Sequence, residues 1–93
     1  MKPEETNIIA CAQAKADEHR ERLSRIGLTL SSPECEVWDS SPATYTSEVR
    51  LKIYRNGVLY DSLEFHVYNE GQQVVTVDEA RAWFDRELRA LPK

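Results

Sequence analysis

The side chains able to do chemistry are few: Cys11, His19, Cys35 and His66, together with Ser62 and Glu64, which lie close to His66 in the sequence. Thiolates and imidazoles are zinc ligands, and structural zinc sites supply them as closely spaced pairs. No CxxC or HxxxH spacing occurs here. Cys11 and His19, eight residues apart on one helix, point about 80° away from each other. A metal site would need all four to converge, so the plainer reading is a histidine ending an apolar stripe and a small thiol filling the core. Neither metal nor cofactor is expected. Ser62, Glu64 and His66 share one face of a strand, the arrangement a nucleophile and its base require, and Cys35 is a second candidate nucleophile. There is no glycine-rich loop for an oxyanion and no expected pocket, so the wet side of a strand accounts for them, and a non-enzymatic protein is expected.

The element that positions most of these groups is a β-hairpin over residues 44–68. Val49, Leu51 and Ile53 alternate with Glu48, Arg50, Lys52 and Tyr54, the period of a half-buried strand. Asn56-Gly57 marks a tight turn, since both residues tolerate positive φ. A plain two-residue turn would set Val49 opposite Glu64 and place a carboxylate on the apolar face. Either a three-residue loop Arg55-Asn56-Gly57 or a bulge near Asp61-Ser62 restores the parity. The bulge is preferred because it keeps the favoured turn, turns Tyr60 inward beside Ile53 and moves Asp61 off the core face. The inward row is then Val49, Leu51, Ile53, Leu63, Phe65 and Val67.

Amphipathic helices flank the hairpin. The first begins near Pro3, with Glu4 and Glu5 at its positive end, and carries an apolar stripe Ile8, Ala12, Ala16, His19, Leu23, Ile26. Glu18 with Arg22 and Glu21 with Arg25 are spaced for ion pairs, and Gly27 caps the end. Between Pro33 and Pro42, Cys35-Glu36-Val37-Trp38 reads as a short strand that pairs with the hairpin, with Leu28–Leu30 and Gln72–Val75 as further extended segments. Thr76-Val77-Asp78-Glu79 is a capping box, so the second helix starts at Val77. It buries Val77, Ala80, Trp83, Phe84, Leu88 and Leu91, leaves Arg81, Asp85, Arg86 and Arg89 wet, and ends at Pro92. The predicted architecture is a single α+β domain over residues 1–93: a two-layer sandwich ordered helix, three- or four-stranded antiparallel sheet, helix, with both helices on one sheet face.

Composition agrees with a folded chain, with 41% hydrophobic and 30% charged residues. The net charge of −4 lies wholly in residues 28–75, which hold seven acids and three bases. That field disfavours phosphate backbones and favours basic partners. The helix arginines (Arg20, Arg22, Arg25, Arg81, Arg86, Arg89) are interleaved with acids, so direct nucleic-acid binding is not expected. No apolar run approaches the roughly eighteen residues of a membrane span. Ile8-Ile9-Ala10-Cys11 resembles a lipoprotein cleavage box, but a polar, acidic segment precedes it. With two cysteines only, the reducing cytosol and free, partly buried thiols are expected.

The remaining candidate is the uncovered face of the sheet, presenting Glu48, Arg50, Lys52, Tyr54, Glu64, His66 and Tyr68, with Trp38 as an aromatic anchor on an acidic segment. This mixture suits contact with another protein. In size, acidity and helix-sheet-helix layout the chain is similar to compact inhibitor proteins of mobile elements, such as anti-CRISPR proteins, and to toxin-neutralising immunity proteins. That resemblance implies a binding module that occupies a surface of a larger protein or complex, as monomer or homodimer. The alternative is a small enzyme or ligand-binding subunit completed by homodimerisation, with His66 and Glu64 or Asp61 at a two-fold interface.

Overall fold

A computed structural model describes residues 1–92. Two helices lie on one face of an antiparallel sheet, in the order α1 (Pro3–Arg25), β1 (Leu28–Leu30), β2 (Glu34–Asp39), β3 (Thr46–Arg55), β4 (Val58–Asn69), β5 (Gln72–Gln73) and α2 (Val77–Arg89). Strand β3 is central. On one side it pairs with β4, and on the other with β1 along its second half and β2 along its first. The break between β1 and β2 falls at Pro33, which has no N–H to give a ladder. Ser31 bridges the gap, its N–H donating to the Lys52 carbonyl at 2.9 Å and its hydroxyl accepting from the Lys52 N–H at 3.0 Å.

The hairpin turn has two residues, Asn56 at φ 52° and Gly57 at φ 76°. Parity is restored by a bulge, as expected, but the extra residue is Tyr60: Tyr54 pairs with Leu59 and Ile53 with Asp61. Asp61 is therefore registered opposite Ile53 rather than moved away from it. Tyr60 packs on the margin of the core, with the Arg55 guanidinium 4.8 Å from its ring centre.

A second irregularity lies between Ser47–Tyr68 and Glu48–His66, leaving Val67 as the extra residue. Val67 and Tyr68 in consequence both face inward, at 0% and 8% exposure. The period-two reading that put Tyr68 on the outer face fails at this bulge. Beyond it, β5 closes onto β4 through Glu70 and Gly71, both at positive φ. A Cβ on Gly71 would lie 2.9 Å from the carbonyl oxygens of Pro42 and Ala43, so only glycine lets this turn sit against the preceding loop.

The core is one continuous cluster: Ile8, Ala12, Ala16 and Leu23 of α1 against Val49, Leu51 and Ile53 of β3, extended by Leu63, Phe84 and Leu88. The small residues of the α1 stripe let that helix approach the sheet. Ile26 leaves the stripe, 40% exposed, because the helix has ended and it serves as the C-cap. Helix α2 begins as its capping box directs, with Thr76 and Glu79 exchanging hydrogen bonds of 3.1 Å. It lies beside α1, where Arg22 donates to the Leu88 and Leu91 carbonyls at 2.8 and 2.9 Å, while Glu18 pairs with Lys15 at 2.8 Å instead. His19 meets Asp85 at 3.1 Å, so Asp85 is not a wet residue of α2 but part of the helix–helix contact.

Candidate protein-binding face

The outer face of the sheet is covered by neither helix, and pairing fixes what it displays. Glu36 lies opposite Glu48 and Glu34 opposite Arg50 across β2 and β3, while Glu48 lies opposite His66 and Arg50 opposite Glu64 across β3 and β4. Side chains at such positions share a face at close range. Arg50 is the hub, reaching Glu48 at 2.5 Å, Glu36 at 2.8 Å and Glu64 at 3.1 Å. The hydrogen bond with Glu48, with the charges of Glu36 and Glu64 behind it, holds the guanidinium more firmly protonated than an ordinary arginine. Glu48 is drawn under this cluster and is 6% exposed, a correction to its expected display. Four carboxylates stand here against Arg50 and Lys52, so the face is acidic. A shallow hollow of about 300 Å³, lined by Glu34, Cys35, Glu36 and Arg50, lies within it.

Of the other candidates, Lys52 and Tyr54 are half-buried and Glu64 and His66 are exposed on this face. Trp38 sits in β2 at the irregularity between Val37 and Asp39 and is 61% exposed. Tyr68 is absent from the face. It lies inside, edge-on to Tyr45 with ring centres 5.4 Å apart, and donates to Glu4 at 2.8 Å. Sequence reading missed Glu34 and Glu36, whose alternation is plain once their segment is known to pair with β3.

The inward side of this end holds a second polar group. Glu5, fully buried, accepts from the Tyr45 hydroxyl at 2.8 and 3.0 Å and from the Lys2 backbone N–H at 2.7 Å. Burial pushes its carboxyl upward, but the bonds from the Lys2 N–H and Tyr45, with the Ser47 hydroxyl nearby, outweigh that and leave it below the ordinary value. The Cys35 thiol is pushed up to about 11 by burial and then by Glu5, the opposite of an activated nucleophile. Tyr45 and Tyr68 are each pushed up to about 12 by burial and by their carboxylate partners. The Lys2 ammonium lies 4.7 and 5.2 Å from the two ring centres.

The chemical candidates do not assemble. Ser62 contacts Glu64 at 3.3 Å, and no hydrogen bond joins His66 to either among the described residues. Cys11 receives an Arg81 N–H at 3.7 Å, His19 is held by Asp85, Cys35 lies near Glu5, and His66 is on the outer face. Among the described residues no group of three or more potential ligands could hold a metal ion, and no helix is long and apolar enough to cross a membrane.

One concavity was not expected. A cleft of about 460 Å³ opens between β4 and α2, floored by Phe65, Val75, Ala80 and Trp83 and rimmed by His66, Glu79 and Arg86. Comparison with protein-family models, with curated proteins and with solved structures gives no match.

Proposed function

We propose that the protein is a non-enzymatic binding module acting in the cytoplasm, an inhibitor of the anti-CRISPR or toxin-immunity kind that occupies a surface of a larger, basic partner. The observation that carries this reading is the bare outer face, where Glu34, Glu36, Glu48 and Glu64 surround Arg50, with Trp38 exposed in the same strand β2. Acidic fields accelerate encounter with basic surfaces, and a protruding indole is a common energetic anchor.

Arg50 is unsuited to a charge-reversal test, because losing it would strand three carboxylates. Glu34→Lys and Trp38→Ala are the suitable variants, since both side chains are exposed. The purified protein is expected to co-elute with a larger basic protein from host lysate. The double variant should lose that partner while its circular dichroism stays unchanged. Equal retention by the variant would remove this face from consideration.

A further inference from the structure

Strand β2 has a partner on one side only. It pairs with β3, and β1 pairs with a different stretch of that same strand, so no described strand lies beyond β2. Which of its main-chain groups face outward follows from Ser31. The N–H and carbonyl of Lys52 both bond to Ser31, so the Lys52 main chain faces the side of β1 and β2. Both extra residues of the β3–β4 ladder belong to β4, which leaves β3 regular, and the main chains of Arg50 and Glu48 therefore face the same way. Their partners Glu34 and Glu36 turn their own main-chain groups to β3. Cys35 and Val37 turn theirs outward, and among the described residues no hydrogen bond reaches them there. Such groups are a template for one more strand.

The side chains of β2 say what that strand must carry. Cys35 and Val37 lie opposite Val49 and Ser47, both fully buried, and so belong to the helix side of the sheet. Val37 is nevertheless 43% exposed, which means that the apolar side of the sheet runs on to this edge without a cover. Glu34 and Glu36 stand on the bare side. Glu34 has no cation beside it among the described residues, and Glu36 shares Arg50 with Glu48 and Glu64. A second copy of β2 is a poor occupant. Antiparallel pairing that sets Cys35 of each copy opposite Val37 of the other also sets Glu36 against Glu36, and like charges directly opposite are destabilising.

We propose that the edge of β2 receives one more strand, supplied by the basic partner, in which lysine or arginine alternates with apolar residues. Its cations stand beside Glu34 and Glu36 on the bare side, and its apolar side chains continue the helix side next to Val37. This rests on the reading of the outer face given above and adds how the contact is made, through the main chain of Cys35 and Val37. The open edge calls for a backbone, Val37 for an apolar neighbour and the carboxylates for cations. A strand with a period of two supplies all three.

The test uses the full chain and two capped peptides about six residues long, the usual length of a strand. One alternates valine with lysine, the other valine with glutamate. The lysine peptide is expected to bind and to slow amide exchange at Cys35 and Val37, and the glutamate peptide to do neither. Val37→Pro removes an N–H that points away from β3, where an edge strand tolerates proline, and Val37→Thr keeps that N–H. The first should weaken the lysine peptide about tenfold or more and the second change it little. Glu34→Lys, at an exposed position, should shift the preference toward the glutamate peptide. Failure of both peptides at millimolar concentration, or equal binding of the two, overturns the proposal. So does lysine-peptide binding that leaves the Cys35 and Val37 amides unprotected or that survives Val37→Pro, which would make it an ion-pairing contact only. Protection of those amides without peptide, together with a dimer on sizing, gives the edge to a second copy and equally overturns it. Circular dichroism checks the fold of each variant, and if Val37→Pro does not fold, the amide protection and the Glu34→Lys switch decide. In the co-elution experiment, a partner kept by Val37→Pro but lost by Glu34→Lys with Trp38→Ala overturns strand addition and leaves the outer face in place. A partner kept by both removes the outer-face reading itself.

Discussion

Glu5 shows how much one buried carboxylate depends on its donors. Its position in the first turn of α1 suits the helix dipole, and against the upward push of burial Tyr45 and the Lys2 N–H hold its charge. Because its folded pKa lies below the unfolded value of 4.5, the stability it contributes is fully present above that value and is lost as pH falls through the folded pKa. Urea midpoints measured from neutral pH downward should therefore decline below about pH 4.5. Tyr45→Phe removes a donor from both carboxylate oxygens. It should cost about 2 kcal/mol at neutral pH and flatten the decline, since the folded pKa then moves toward the unfolded one. An unchanged midpoint would mean that the Lys2 N–H suffices. Nothing in the local sequence joins Glu5 to Tyr45. Forty residues separate them, and only the docking of α1 across the sheet brings them together.

At the scale of elements, the helices are tied to each other as well as to the sheet. Arg22 caps the end of α2 by donating to the Leu88 carbonyl, which otherwise takes only the Leu91 N–H at 3.2 Å, and to the Leu91 carbonyl just beyond the helix. Arg22→Met keeps the aliphatic stem and removes both bonds. Thermal or urea unfolding should report a loss of about 1 kcal/mol, modest because Arg22 is exposed. The same contact holds Asp85 between Arg89, His19 and Lys15, and the hydrogen bonds from Arg89 and His19 put its carboxyl well below the usual range. The sequence pattern supported a different reading, in which Arg22 pairs with Glu18 four residues earlier and Asp85 is wet. Helical spacing states which partners are within reach, whereas packing brought better ones from the other helix. The capping box and the Asn56-Gly57 turn were legible because every group they need lies within four residues of chain.

For the molecule as a whole, the outer face is a charged lattice centred on Arg50. Arg50→Met should cost about 2 to 3 kcal/mol by leaving the nearly buried Glu48 unpaired among Glu36 and Glu64. The loss should shrink in high salt, which screens the repulsion left behind, and chemical denaturation at two salt concentrations reads it directly. A salt-independent loss would assign it to packing of the arginine stem. Taken by itself, the sequence determined what local chemistry controls: two amphipathic helices with their boundaries, a hairpin with its turn, a third strand, and the grouping of all these into two layers with one sheet face bare. Alternation of side chains has a period of two, and capping and turn preferences act over a few residues, so each is written in adjacent positions. Tertiary structure decided where that alternation breaks. The bulge at Val67 turned Tyr68 inward, and pairing of β2 with β3 brought Glu34 and Glu36 to Arg50. Those outcomes depend on which strands meet and in what register, a balance of burial across the whole sheet that no short stretch of chain encodes.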